Sequence, residues 1–463
     1  MSEEMKTLRK QLLRDSRSGY DVLEEAQLRQ MEDYCADYKA FLGNKTERLS
    51  ARAAIAAAEA HGFVEYRRGM ALEAGDKVYT CNRGKGLMLA VMGRESMAEG
   101  VQIAAAHIDS PRLDLKPNPL YEDSELAYFK THYYGGIRKY QWVTIPLQLQ
   151  GVVVKKDGTA VEVCIGEKGE PQLVITDLLP HLGGEQGKKP LSEAIPAETL
   201  NILLGSRPIG DEDDSDRVKL HVMKRLYDKY GITEADFASA ELEAVPAADP
   251  VDIGIDGSMI GSYGHDDRVC GYAALRALLE LDAPAKTAVC VLADKEEIGS
   301  MGVTGMQSAV FETFLSDLCD SQNVPLKVCF ENSFCLSADV TAAYDPNFAD
   351  VFDKKNAAFL NHGVGLCKYT GARGKSGSSD AGAETVAYVR SLLDGAGVRW
   401  QICELGKVDA GGGGTVAQYM ANRNIATLDA GVPVLSMHAP FEVVAKLDCY
   451  EMYRACKAIY EAR

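Results

Sequence analysis

Two histidines and several carboxylates in this chain stand where short apolar runs stop. Ala104-Ala105-Ala106 runs into His107-Ile108-Asp109, and Val291-Leu292-Ala293 into Asp294-Lys295-Glu296-Glu297. Cys335-Leu336-Ser337-Ala338 ends in Asp339, and Pro433-Val434-Leu435 leads through Ser436-Met437 to His438. A fifth cluster, Gly264-His265-Asp266-Asp267-Arg268, opens a predicted helix. Any one of these reads as well as a solvated pair or a helix cap; four strand-length runs ending in ligand types in one chain are harder to explain that way. In open α/β sheets functional groups gather at the carboxyl ends of strands. Imidazole and carboxylate ligands without thiolates suit zinc, manganese or cobalt, and a set of this size suffices for two metals sharing a carboxylate. Such a pair acidifies a bridging water and polarises a carbonyl, which amide hydrolysis needs. A neighbouring carboxylate can carry the water's proton to the leaving amine. Adjacent Glu296 and Glu297 point different ways on an extended or turning backbone, so one can bind metal while the other faces the water.

Bringing these clusters together requires a sheet. After Asp256, apolar runs at 288–293, 326–330 and 400–405 alternate with helical periodicity over 266–281, 379–393 and 440–460. In the last of these Phe441, Val444, Met452, Tyr453, Cys456 and Ile459 form the predicted apolar face. That alternation predicts an α/β domain with a mostly parallel central sheet. Before it, the first 62 residues read as helical, with Thr46 capping 47–60, and 77–81 and 87–92 read as a hairpin around 82–86. Between 120 and 251 the texture changes to strand-like runs at 142–149, 151–155 and 159–165, a polar stretch and a helix near 218–230, with few catalytic groups. The predicted organisation is therefore a catalytic domain in two parts, 1–119 and 252–463, divided by a β-rich insertion, 120–251.

Composition narrows the partners. Against 50 Lys+Arg stand 67 Asp+Glu, a net charge of -17 with no basic stripe, so nucleic acid is not expected. The 12 cysteines are scattered without a C-x-x-C pair, and neither a leader-type apolar core near the start nor an 18-residue apolar run occurs, which predicts a reduced, cytoplasmic protein with no membrane partner. Ser378 follows Gly374-Lys375-Ser376-Gly377, so there is no nucleophile elbow, and Tyr369 stands where a phosphate-binding loop ending at Lys375 needs glycine.

His107-Ile108-Asp109-Ser110-Pro111, Asp266-Asp267-Arg268, Glu296-Glu297-Ile298-Gly299-Ser300, Ser337-Ala338-Asp339 and Met437-His438, in that order over more than 300 residues, resemble the aspartyl and vacuolar aminopeptidase family of dizinc metallopeptidases, in its bacterial branch. The resemblance implies a three-layer αβα catalytic domain, an inserted dimerisation domain and removal of N-terminal residues from short peptides. It also implies two Zn2+ per subunit, with Mn2+ or Co2+ as alternatives, and dimers that assemble into a tetrahedral dodecamer. Carried over, it makes Asp266 the bridging ligand, pairs His107 and Asp339 on one metal and Glu297 and His438 on the other, gives Glu296 the proton transfer, and has Asp109 orient His107. The family's usual Leu-Asp-Asn-Arg is replaced by His265-Asp266-Asp267-Arg268, which leaves Asp267 open as an alternative bridge. Its usual Ser-x-Arg-Glu is replaced after His438 by Ala439-Pro440-Phe441-Glu442, which leaves the substrate's side-chain preference open. The glycine run 411–414, with Gly413 and Gly414, resembles a substrate loop that could equally be a flexible turn; Lys375 resembles a substrate-binding segment. His181 resembles the histidine that reaches a neighbouring subunit's site, though an ordinary surface histidine reads the same. A deacylase acting on a non-peptide amide, or a silent assembly protein of the same fold, are the competing readings.

Overall fold

Helices Glu3–Leu12, Glu25–Leu42 and Glu47–Ala60 open the chain in the computed structural model, which describes residues 2–14 and 17–463. Thr46 caps the third as its sequence predicts, its hydroxyl accepting the Leu49 N–H at 3.3 Å, a contact that contributes about 1 kcal/mol. Behind these helices runs a nine-stranded sheet in the order Val64–Glu65, Lys77–Asn82, Gly86–Val91, Thr287–Ala293, Val101–His107, Phe334–Ala338, Ala426–Gly431, Val364–Cys367, Trp400–Ile402. Its centre is parallel from Thr287–Ala293 through Ala426–Gly431. Antiparallel pairings at Gly86–Val91 and Val364–Cys367 make the whole sheet mixed.

Strands Val101–His107, Thr287–Ala293 and Phe334–Ala338 are buried along their full length, because alternate residues serve two different cores. Ala104, Cys290 and Leu336 pack with Leu278 and Ile459 of helices His265–Leu279 and Lys446–Tyr460. Ile103, Val291 and Cys335 pack with Phe311, Phe314 and Met420 from helices on the opposite face.

Three local expectations fail; in one, the two strands expected at 142–149 and 151–155 are a single strand, Leu147–Val154, that runs on through Gly151. Residues 326–330 form a helix, Leu326–Glu331, instead of a strand. Pro325 precedes it with φ −64°, ready to start a helix, and an apolar run this short carries no decisive period. Residues 440–460 are not one helix: Glu442–Ala445 is a strand paired with Met259–Ser262, and the helix begins at Lys446. Val444 therefore packs as a strand residue and Phe441 stays partly exposed, since β-branched Val443 and Val444 find a partner strand that local periodicity does not reveal.

A second sheet is antiparallel throughout, in the order Ala160–Ile165, Leu147–Val154, Ala240–Pro246, Arg112–Asp123, Leu126–Tyr134, Ile202–Gly205. Leu226 of helix Arg217–Tyr230 packs into its separate core with Phe129, Leu149 and Phe237. The junction expected at 119/120 lies inside strand Arg112–Asp123. A small third sheet, Val251–Ile253, Met259–Ser262, Glu442–Ala445, Pro433–Leu435 and Thr341–Ala342, closes the region between them. Among the described residues no helix is long and apolar enough to cross a membrane.

Candidate metal centre

The parallel register of the main sheet sets three strand ends side by side. His107 ends Val101–His107, Asp339 follows Phe334–Ala338, and the short turn Glu296–Ile298 follows Thr287–Ala293. Lys295, at φ 69°, turns the chain so that Glu296 and Glu297 face the same cleft. Asp266 comes from the first turn of His265–Leu279, and His438 from the loop after Pro433–Leu435 in the third sheet.

These side chains converge. His438 Nε2 lies 2.9 Å from Asp266 Oδ2 and 3.5 Å from Glu297 Oε1, and His107 Nε2 lies 3.6 Å from Asp339 Oδ1. Three overlapping sets have their donor atoms within 4.8 Å: His107, Asp266, Asp339; Asp266, Glu297, His438; and His107, Glu296, Glu297. Asp266, His107 and Glu297 each belong to two of them, and Asp266 is the member that joins the His107–Asp339 pair to the Glu297–His438 pair. Asp267 belongs to none, lying 4.0 Å from Nδ1 on the other side of His107, where burial and then Asp266 push its carboxyl up to about 6. His265 also stays out. Its Nε2–H donates to Ile260 O at 3.1 Å and its Nδ1 meets the Tyr38 hydroxyl at 2.8 Å, while burial lowers its pKa to about 3, as for a neutral core histidine.

Both imidazoles of the cluster are oriented by the opposite nitrogen. His107 Nδ1 faces Asp109 O at 3.1 Å, with the Asp109 carboxylate at 3.5 Å, and His438 Nδ1 faces Gly136 O at 2.9 Å. A proton on Nδ1 leaves each Nε2 with a free lone pair, the tautomer that metal ligation uses. Asp109 is fully buried and also accepts the Tyr134 hydroxyl at 2.8 Å and the N–H groups of Glu296 and Glu297 at 3.0 and 3.2 Å. Burial opposes its charge, yet the hydrogen bond from His107 and its other donors hold its carboxyl below the usual range.

Glu442 escaped the sequence reading except as a departure from a motif. One of its oxygens accepts the N–H groups of His265 and Asp266 at 2.6 and 3.1 Å, capping that helix, and the other accepts the His438 N–H at 2.6 Å. It thereby holds His438 at φ 64°, a left-handed conformation costly for a non-glycine residue. Tyr134 and Gly136 were missed because the 120–251 segment looked poor in catalytic groups; the pair of glycines after two tyrosines was the available signal.

The donor set fits metal cations. Burial first, then Asp339, Asp109 and Asp266 acting against His107, push Glu296 up to about 8, and burial and Asp266 push Glu297 up despite His438. No lysine or arginine is among the residues lining the cleft, and against burial the hydrogen bonds to Asp109 and Asp266 raise His107 and His438 as well, so these carboxyls and imidazoles hold protons in place of a metal cation. The cleft holds about 430 Å³. Its other wall is neutral, with Tyr369, Thr370, Leu405, Gly413, Gly414 and Thr415. Lys375 is absent from that lining and lies 3.8 Å over the Tyr369 ring, 3.3 Å from Asp380. His181 is exposed on the second-sheet segment and does not line the cleft.

A mixed sheet whose strand ends gather imidazoles and carboxylates around a cleft defines a metal-dependent hydrolase. The family model described as aminopeptidase I zinc metalloprotease (M18) matches residues 44–460. A probable M18 family aminopeptidase 1 of Clostridium acetobutylicum is 48% identical over 450 residues, covering 95% of this chain and 97% of that protein. Its namesake in Thermotoga maritima is 44% identical over 439 residues, covering 93% and 96%. The crystal structure of an M18 aminopeptidase from Thermotoga maritima superposes with a TM-score of 0.93 at 42% identity, covering 97% of this chain and 99% of that one. The chain belongs to the M18 family of zinc metalloproteases, and it is a metalloaminopeptidase, removing N-terminal residues.

Proposed function

We propose that this aminopeptidase works with two zinc ions per subunit, one held by His107, Asp266 and Asp339 and the other by Asp266, Glu297 and His438. The observation that carries this reading is the presence of Asp266 in two ligand sets, each with an imidazole whose Nδ1 is already engaged. When bound, such a pair supplies an acidified water and a Lewis acid for the scissile carbonyl. The chain's own residues do the rest. Glu296 takes the water's proton and delivers it to the departing amide nitrogen, Asp109 keeps His107 in its ligand tautomer, and Gly413 and Gly414 offer backbone groups to the peptide. Lys375 acts on that wall only through Tyr369. An uncharged N-terminal side chain fits the neutral wall better than an acidic one, because no lysine or arginine stands on that wall to pair with a carboxylate.

The larger reading goes with it: a three-layer catalytic domain interrupted by an inserted dimerisation domain, in dimers that build a tetrahedral dodecamer admitting short peptides. A yeast aminopeptidase of the same fold is described as a dodecamer, at 21% identity and a TM-score of 0.75, and supports a homo-oligomer. Exposed His181 would then be free to reach a second subunit. Twelve free thiols support a reducing compartment, the cytoplasm.

The decisive experiment is hydrolysis of a peptide panel, with N-acyl amides included, after loading with zinc, manganese or cobalt. Release of free N-terminal residues is expected, with neutral ones ahead of acidic ones. Glu296→Gln should lower kcat by about 10²–10⁴ while zinc stays bound; full activity in that variant would refute its role.

A further inference from the structure

The second sheet reaches the metal-ligand cluster through three consecutive residues at the end of strand Leu126–Tyr134; two meet candidate ligands and the third meets Asp109, which orients a ligand. Tyr134 donates its hydroxyl to Asp109 Oδ2 at 2.8 Å. Gly135 sits at φ 75°, and a Cβ built there would come within 3.1 Å of Glu297 Oε2 and 3.3 Å of Glu297 Cβ. Gly136 presents its carbonyl to His438 Nδ1 at 2.9 Å, and a Cβ there would lie 3.2 Å from that same nitrogen. At both positions a Cβ would press the facing ligand back by a few tenths of an ångström, and at Gly135 the positive φ adds strain for any other residue.

The segment is itself firmly held. The Arg112 guanidinium stacks 3.8 Å from the Tyr134 ring centroid. Arg112 pairs with Asp114 and Glu243 of the second sheet at 2.9 and 3.3 Å, and with buried Glu47 of helix Glu47–Ala60 at 3.5 Å. Tyr134 is thus fixed from both bodies of the protein, with its hydroxyl aimed at the carboxylate that orients His107. A purely structural junction needs the stacked ring and the ion pairs, not the hydroxyl.

We propose that residues 134–136 are a positioning segment through which the second sheet governs metal retention: Tyr134 steadies Asp109 and so His107, Gly135 backs Glu297, and Gly136 sets the tautomer and ring plane of His438. This rests on the ligand assignment above. Partners that orient metal ligands typically contribute 10–100-fold to affinity, so their loss is measurable without turnover.

The test compares zinc-loaded wild type with Tyr134→Phe, Gly136→Ala, His438→Ala and, as a control on the same strand, Tyr128→Phe. Zinc per subunit, the rate of zinc transfer to a chelating dye, kcat and KM are read, with thermal melting to establish folding. Tyr134→Phe keeps the ring over Arg112, so it should melt near wild type, release zinc about tenfold faster or more, and lose kcat with little change in KM. Gly136→Ala should likewise speed release, and Tyr128→Phe should not. Wild-type zinc release in both Tyr134→Phe and Gly136→Ala, with His438→Ala short of one zinc, overturns the positioning segment alone. Equal acceleration in Tyr128→Phe overturns it too, by reducing the effect to general loosening of the strand. Two zinc ions retained by His438→Ala would instead sink the ligand assignment.

Discussion

The two walls of the cleft are built on opposite principles. One is the carboxyl edge of the main sheet, where Asp109, Asp266 and His107 are almost wholly buried and each is held by contacts from other elements. The other is made of loops around Tyr369 and Gly413, neutral and half-exposed, whose bonds include Gly371 N–H to Gly413 O at 2.6 Å, Thr370 N–H to Ser378 Oγ at 3.0 Å, the Tyr369 hydroxyl to Glu404, and Thr415 to Asp429 at 2.7 Å. In the proposed reading the chemistry sits where strain and like charge have many supports, and the peptide lies against the neutral wall. Substitutions on the first wall should therefore act on metal content and kcat, and those on the second on KM, with much smaller effects.

The largest expected effect is that of Asp266→Ala. If Asp266 serves two ions, its removal should empty both sites and abolish turnover, whereas His438→Ala should cost a single zinc; metal analysis of dialysed protein separates these. Equal losses from the two variants would remove the case for a shared carboxylate. Next comes Thr415→Val, which takes from the buried Asp429 carboxyl the Thr415 hydroxyl at 2.7 Å, at a cost of about 1 kcal/mol. A higher KM with near-normal kcat and full zinc is expected, and a kcat defect instead would mean that the walls are not separable in this way.

Asp429 gives a pH test of the same wall. Burial pushes its carboxyl from 3.8 to about 7, and its Oδ2 has no partner. The folded protein binds this proton more tightly than the unfolded chain does. The resulting stabilisation is complete below pH 3.8 and is lost as pH rises through about 7. Asp429→Asn has no such proton and can still bond the Thr415 and Ser337 hydroxyls beside it, so its stability relative to wild type should grow from acid to neutral pH in chemical denaturation. A constant difference across that range would show the group already ionised. The smallest effect belongs to Lys375→Ala. An exposed ion pair contributes about 0–1 kcal/mol, so peptide kinetics should shift within about threefold.

Local pattern carried much of the fold. The apolar runs ending in His107, Glu296-Glu297 and Asp339 were legible because buried parallel strands are short, apolar and interrupted abruptly at their functional ends, while the run before His438 is a three-residue strand of the small third sheet. Residues 326–330 and 440–445 were misread because a proline and a distant partner strand decided between conformations of equal local appeal. Glu442 was in plain view four residues after His438, but its work is on backbone N–H groups of the Asp266 helix, and no spacing rule connects the two.

By itself, the order of the amino acids determined the chemistry available: which residue types close which strands, the absence of thiolates from those clusters, and the family to which the motifs belong. Only the tertiary structure shows Asp266 among the clustered donors and Asp267 behind His107, sets an acceptor opposite Nδ1 of both histidines, and brings Tyr134 to Asp109 and Gly136 to His438. The physical reason is that a carboxylate's direction and an imidazole's tautomer depend on neighbours through space. Those neighbours here come from strands, turns and a helix that sequence distance keeps apart until the sheets form.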